Sequence, residues 1–128
     1  MTFVTDPIGD LLTRMRNAQA VRKESCIAPW SKIKLELCEL LVKEEWLQAV
    51  EVTGTEPKLS LKITFHPEKK LRLRRVSRPG RRVYSSSADL RPVLRDYGIA
   101  ILTTSEGLLT DASARKRKIG GEVLCTIS

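Results

Sequence analysis

Histidine is almost missing from this chain: His66 is the only one in 128 residues. A Ser/His/Asp triad works through an imidazole held beside its nucleophile. His66 stands next to Pro67 in a stretch with loop character, so that chemistry has no base. Cysteine is scarce as well. Cys26, Cys38 and Cys125 are odd in number, widely spaced and form no C-x-x-C pair. A structural zinc site takes about four ligands at recurring spacings, so neither a metal nor any other cofactor is expected. Three reduced thiols, at least two in or near the core, fit better than a disulfide framework. No apolar run approaches the roughly 18 residues of a membrane-spanning helix. The opening MTFVTDPIGD has no basic segment leading into a long apolar one, which argues against a signal peptide and for a cytoplasmic protein with no membrane partner. The phosphate-loop pattern G-x-x-x-x-G-K-S/T is absent. Asp6, Asp10 and Glu24 could make a carboxylate cluster, but Asp6 and Asp10 already suit the first turn of a helix. An enzyme is not expected.

Charge is present in abundance, and it is lopsided. The chain carries +8, from 23 Lys and Arg against 15 Asp and Glu. Residues 1–64 hold nine basic and nine acidic side chains; residues 65–128 hold fourteen and six. The whole excess therefore lies in the second half, which marks that half for a polyanion, most commonly nucleic acid.

The first half reads as a small α/β unit. Asp6-Pro7 starts a helix in which Ile8, Leu11, Leu12 and Met15 form one apolar face and Asp10, Thr13, Arg14 and Asn17 the opposite one. Glu24 to Ala28 is compatible with a short strand. Ser31 caps a second helix with Ile33, Leu37, Leu40 and Leu41 buried and Lys34, Glu39 and Lys43 in water. Trp46 packs where that helix ends. Val50 and Val52 alternate with polar residues, as do Leu59, Leu61, Ile63 and Phe65, and Gly54 to Pro57 is turn chemistry: a hairpin. His66-Pro67 is the expected boundary, giving a neutral subdomain at 1–66 and a basic one at 67–128.

In the second half, Glu68 to Arg82 holds eight basic residues and one acid. Leu71 and Leu73 alternate with Arg72 and Arg74, so a strand there presents arginines on one face. Ser77 to Gly80 is a turn. Leu90, Val93, Leu94 and Tyr97 make a helical stripe starting near Asp89 and stopping at Gly98. Ile99 to Leu102 is a buried strand. Thr103, Thr104, Ser105, Glu106 and Gly107 form a hydroxyl-rich turn, with Gly107 free to take positive φ. Leu108 and Leu109 return to the core. Thr110 caps a short helix over Asp111 to Lys118, which Gly120 and Gly121 end. Glu122 to Ile127 is a last strand with Val123, Cys125 and Ile127 on one face. The fold expected is α+β: two packed α/β subdomains, the first helix-strand-helix-hairpin, the second strand-rich with one longer and one short helix.

Three separated stretches, DPIGDLLTRMRNA at 6–18, SRPGRRVY at 77–84 and TTSEGLLTDASAR with IGGEVLC at 103–125, resemble the bacterial small-subunit ribosomal protein family numbered eight. The resemblance runs the whole length and implies a structural constituent of the small ribosomal subunit. Such a protein binds the central domain of 16S rRNA early and supports assembly of the subunit platform. Its partners are 16S rRNA and neighbouring small-subunit proteins, with its own operon's mRNA as a further one where a family member represses its own translation. The family's TSxG turn, its main RNA contact, maps onto Thr104, Ser105 and Gly107. Its GGE motif brings Glu122 to the RNA, and its PxSK element implies a secondary contact at Ser31 and Lys32. Beside these, Tyr84 offers a ring for stacking. Arg78 and Arg81, with Arg82, can pin phosphates, and Arg115, Lys116 and Arg117 with Lys118 supply charge next to the turn. Glu106, Lys118, Trp30 and Thr126 depart from the family's usual residues, and Glu106 is expected to face away from RNA. Without the resemblance, a DNA-binding module or a protein-interaction module would remain open, though no recognition helix with base-reading side chains is visible.

Overall fold

The computed structural model describes residues 7–56, 58–67, 70–77, 80–86 and 98–128. The expected helix near Asp89 to Tyr97, the Asp6 cap, and Arg78 and Pro79 of the expected turn lie outside them. The chain divides into two units, one spanning Pro7–Leu71 and the other containing Arg72–Ser128.

The first unit runs α1 (Pro7–Ala20), β1 (Ser25–Pro29), α2 (Lys32–Lys43), β2 (Leu47–Thr55) and β3 (Lys58–Phe65). Its antiparallel sheet has the order β1-β3-β2. Ile8, Leu11, Leu12, Met15 and Ala18 are the buried face of α1. Leu61, Ile63 and Phe65 of β3 and Ala28 of β1 bury the face of the sheet they share. The hairpin ladder continues to Thr55 opposite Lys58. Ser31 caps α2 as expected: its Oγ accepts from the Lys34 amide at 3.3 Å. Lys34 itself departs from expectation. Its side chain is buried, with Nζ donating to Asp10 Oδ2 at 3.4 Å and to the Pro29 carbonyl at 3.3 Å. A helical pattern assigns a lysine to water, but a carboxylate and a carbonyl from two other elements converge on this one and replace its hydration. Asp10 also takes Arg14 Nε at 3.0 Å. Burial alone would raise its carboxyl pKa, and the hydrogen bonds and charges of Arg14 and Lys34 outweigh that and lower it.

The second unit contains β4 (Leu73–Arg75), β5 (Tyr84–Ser85), β6 (Ile99–Thr104), β7 (Gly107–Thr110), α3 (Asp111–Arg117) and β8 (Gly121–Ile127). β8 pairs with β6 along one side and with β4 and then β5 along the other, and β7 flanks β6. Leu71 and Leu73 are buried while Arg72 and Arg74 are exposed, the alternation read from the sequence. Ala100, Leu102, Leu109 and Ala114 form a core cluster with Val123 against it. The expected simple alternation of Val123, Cys125 and Ile127 does not hold. Ile101 pairs with Cys125 but Leu102 pairs with Val123, so Leu124 is the extra residue of a β-bulge. A bulge reverses which face the following residues present. Its unpaired carbonyl is used elsewhere, accepting the amides of Val76 at 3.0 Å and Ser77 at 3.3 Å.

The three helices among the described residues end alike. After α1 the Lys23 amide reaches the Ala18 carbonyl and Arg22 reaches Gln19; after α2 Trp46 reaches Leu41 and Glu45 reaches Val42; after α3 Ile119 reaches Ala114 and Lys118 reaches Arg115. Each is a six-to-one and five-to-two pair, the Schellman closure. The residue that needs the left-handed conformation is Arg22 (φ 58°), Glu45 (φ 64°) or Lys118 (φ 59°), never a glycine. Gly120 and Gly121 therefore do not stop α3 as expected; Lys118 does. Left-handed backbone costs an L-residue roughly 1–2 kcal/mol, partly offset by the greater freedom glycine has when unfolded. Arg22→Gly, Glu45→Gly and Lys118→Gly should each stabilise the protein by about 0.5–1 kcal/mol in urea titration. Loss of stability in all three would mean these side chains contribute more than the strain they carry.

Candidate nucleic-acid interface

The site is a corner of the second sheet. β6 and β7 are joined by the two residues Ser105 and Glu106, with Thr104 opposite Gly107. Gly107 has φ +100°, the conformation the turn demands and glycine permits. Thr104 Oγ1 accepts the Glu106 amide at 3.1 Å and donates to the Gly107 carbonyl at 2.8 Å. The threonine hydroxyl is therefore the internal brace of the turn, and Ser105 is left exposed at its tip.

Register then assembles a row across four strands. Tyr84 of β5 opposes Glu122 of β8, Glu122 opposes Thr103 of β6, and Thr103 opposes Leu108 of β7. Directly opposed residues share a face, so Tyr84, Glu122 and Thr103 lie side by side over about 10 Å at the usual strand spacing. Tyr84 is 71% exposed, so its ring is not part of the core. Glu122 is mostly buried, and its Oε2 takes Arg82 Nη1 at 3.1 Å. Arg82 is thereby committed to a carboxylate, while Arg81 is exposed.

The double glycine makes this row possible. A Cβ on Gly120 would stand 2.5 Å from the Ser85 carbonyl and 2.8 Å from Ser86 Cα; a Cβ on Gly121 would run into the Thr103 carbonyl and stand 2.9 Å from Thr104 Cγ2. β8 thus lies close to β5 on one side and β6 on the other only without those side chains. Ser77 was not singled out in the sequence. It is fully buried, and its Oγ accepts the Val83 amide at 2.9 Å and donates to the Val83 carbonyl at 3.3 Å, pinning the residue before Tyr84. A serine inside a basic run gives no pattern from which that role could be read.

The basic tetrad resolves into unlike members. Thr110 Oγ1 caps α3 by accepting the Ser113 amide at 3.2 Å. Asp111 is buried, accepting from the Ala100 amide at 3.3 Å and from Arg115 Nη1 at 3.1 Å. Asp111 therefore anchors α3 to β6, and Arg115 is taken up by that carboxylate within the helix. Arg117 Nη1 reaches Glu106 Oε2 at 3.2 Å, both half exposed. Lys116 and Lys118 are exposed with no carboxylate partner among the described residues. In the first unit, Ser31 is spent on its helix cap and Lys32 is exposed beside it. Arg78 lies outside the described residues.

Thiol chemistry is absent from this corner. Burial pushes the Cys38 and Cys125 thiols up to about 12, and burial raises Cys26 as well. Such groups are not thiolates near neutrality. No set of three or more metal-ligating side chains comes together among the described residues, and no helix among them is long and apolar enough to cross a membrane.

Glu106 places a negative charge at the tip of the turn and occupies Arg117. If the tip meets phosphates, Glu106→Gln should raise RNA affinity and steepen its salt dependence by up to about one unit of slope, as Arg117 becomes available. Arg117→Ala should do the opposite. Identical slopes for both variants and the native chain would remove Arg117 from the interface.

The corner thus gathers a hydroxyl turn, a neighbouring ring and carboxylate, and exposed cations on one sheet of an α+β protein. The family described as ribosomal protein S8 matches residues 6–128. Small ribosomal subunit protein uS8 of Acidithiobacillus ferrooxidans is 46% identical, covering 98% of each chain. The protein of that name from Leptospira biflexa is 43% identical over 97% of this chain and 98% of its own. Protein uS8c of Oltmannsiellopsis viridis is 40% identical over 98% and 99%. The chain belongs to the ribosomal protein S8 family.

Proposed function

We propose that this chain is a structural constituent of the small ribosomal subunit. In this reading it binds the central domain of 16S rRNA early in assembly, supports the subunit platform, works in the cytoplasm and catalyses nothing. The observation that carries this reading is the cross-strand row Tyr84–Glu122–Thr103 beside the exposed Ser105 tip. Small hydroxyls let RNA backbone and base edges come close, Tyr84 supplies a stacking face, and the carboxylate of Glu122 can accept from base amino groups. Lys116, Lys118 and Arg81 add affinity through counterion release without reading sequence. Lys32, exposed beside the Ser31 cap, supplies a secondary contact from the first unit, and neighbouring small-subunit proteins are the other partners.

The test is salt-titrated binding of the full chain to a structured transcript of the 16S central domain, to a scrambled RNA of equal length and to duplex DNA. The expected result is tight binding to the first alone at about 0.15 M salt, with the other two weaker by three orders of magnitude or so. Equal affinity for all three would reject specific recognition.

A further inference from the structure

The end of the first unit's sheet away from Ser31 carries a depression of about 860 Å³. Gln19, Ala20, Arg22, Lys23 and Glu24 line it from the end of α1, and Gln48, Thr64, Phe65, His66 and Lys70 from the sheet side. We propose that it is a second RNA contact, which seats phosphates of the backbone on Arg22, Lys23 and Lys70. This rests on the reading of the chain as an RNA-binding protein.

Three observations carry it. First, the charge is uncompensated. Arg22, Lys23 and Lys70 are all exposed, and none has an ion-pair partner among the described residues. Among the described residues only Glu24 opposes them in the lining, whereas Asp10 of the same unit is shared between Arg14 and Lys34 elsewhere. Three like charges around one depression repel, and a bound anion relieves that repulsion. Second, the cations are not consumed by the helix end they stand on. The last carbonyls of α1 are taken by the amides of Arg22 and Lys23, so both side chains are left over. Arg22 is held there in a left-handed backbone conformation that its side chain does nothing to favour. Third, the lining suits backbone and not bases. Phe65 is buried and offers no open ring, and Gln48 and Thr64 are neutral hydrogen-bonding groups. Contacts of this type give affinity and register, not sequence discrimination.

The depression is also distinct from the Ser31 and Lys32 contact. Trp30 pairs with Leu59 at one end of β3, while Thr64 and Phe65 stand at the other, about 17 Å along the strand. An arginine can grip a phosphate in bidentate fashion, with the two lysines as point charges on its neighbours.

The experiment uses the full chain and the 16S central-domain transcript. In Arg22→Gln/Lys23→Gln/Lys70→Gln, the slope of log affinity against log salt should become shallower by about 2–3, and affinity at 0.15 M should fall on the order of 100-fold. The preference over scrambled RNA and the melting temperature should not change. The charge-preserving Arg22→Lys/Lys23→Arg/Lys70→Arg should restore the slope. Ser105→Ala should behave oppositely, reducing the preference about tenfold and keeping the slope. A photocrosslinker on Gln48→Cys should label an RNA segment different from one labelled through Ser105→Cys. An unchanged slope in the triple glutamine variant, the outcome expected if the depression takes an acidic protein segment, would overturn the proposal. So would the absence of any crosslink from residue 48. If the native chain binds scrambled RNA equally, specific recognition fails, but the slope difference still decides the role of the depression.

Discussion

Gly121→Ala should melt roughly 10 °C below the native chain and lose specific RNA binding with it. The added Cβ has to occupy the space of the Thr103 carbonyl and Thr104 Cγ2, and the nearest of these is backbone that cannot rotate away. Forcing a methyl into a closed site costs about 3 kcal/mol once neighbouring backbone must move. Here the movement has a direction: β8 separates from β6 at the pairing of Glu122 with Thr103. The row across the sheet is thus broken at its centre. Gly120→Ala should give a similar loss through Ser85 and Ser86 on the other side of β8. Gly80→Ala is the control, because a Cβ there meets nothing within 4 Å, and it should stay within about 0.5 kcal/mol of the native chain. Thermal melts followed by binding at a temperature where all variants are folded separate the two consequences. A Gly121→Ala protein that melts with the native chain would show that β8 and β6 are not this close.

Thr104→Val should reduce specific RNA affinity on the order of 30-fold, more than Ser105→Ala at about tenfold, while moving the melting temperature by only a few degrees. The two hydroxyls do different work. Ser105 stands exposed at the tip and can be replaced in the free protein by water at no cost to the turn. Thr104 Oγ1 holds the Glu106 amide and the Gly107 carbonyl at once, so valine, equal in shape, removes the brace and leaves the tip to choose among conformations. RNA would then have to order the turn on binding, and that cost subtracts from affinity. Thr104→Ser keeps the hydroxyl and should recover most of the loss. A tip that binds equally well in Thr104→Val and the native chain would mean that the turn's geometry is not what the RNA meets.

Much of the local structure was legible from residue pattern. Ile8, Leu11, Leu12 and Met15 could form one face only at helical spacing, and they are the buried face of α1. Leu61, Ile63 and Phe65 alternated and became the inner face of β3. Ser31 and Thr110 had hydroxyls at the right offset to cap helices, and both do. The failures share a cause. Lys34 was placed in water because its own helix assigns it there; the oxygens of Asp10 and Pro29 come from other elements. The tetrad at 115–118 was read as four charges beside the turn of which only some could face one duplex, with no sign of which. Two of them are occupied by Asp111 and Glu106, which the fold brings within reach. Glycine was expected to end α3, since glycine tolerates positive φ best. A lysine takes that conformation when the six-to-one and five-to-two bonds and the following strand hold it there.

The residue order alone determined which segments could be helix or strand, where the positive charge lay, and that a hydroxyl turn with a double glycine closed the chain's basic half. Periodicity and charge are properties of near neighbours, so they survive in one dimension. Only the tertiary structure decided that Tyr84, Glu122 and Thr103 stand in one row, that Gly120 and Gly121 serve strand contact and not helix termination, and which cations remain unpaired. Those depend on register between strands far apart in the chain and on a single bulge at Leu124, and one extra residue in a ladder reverses every face that follows it.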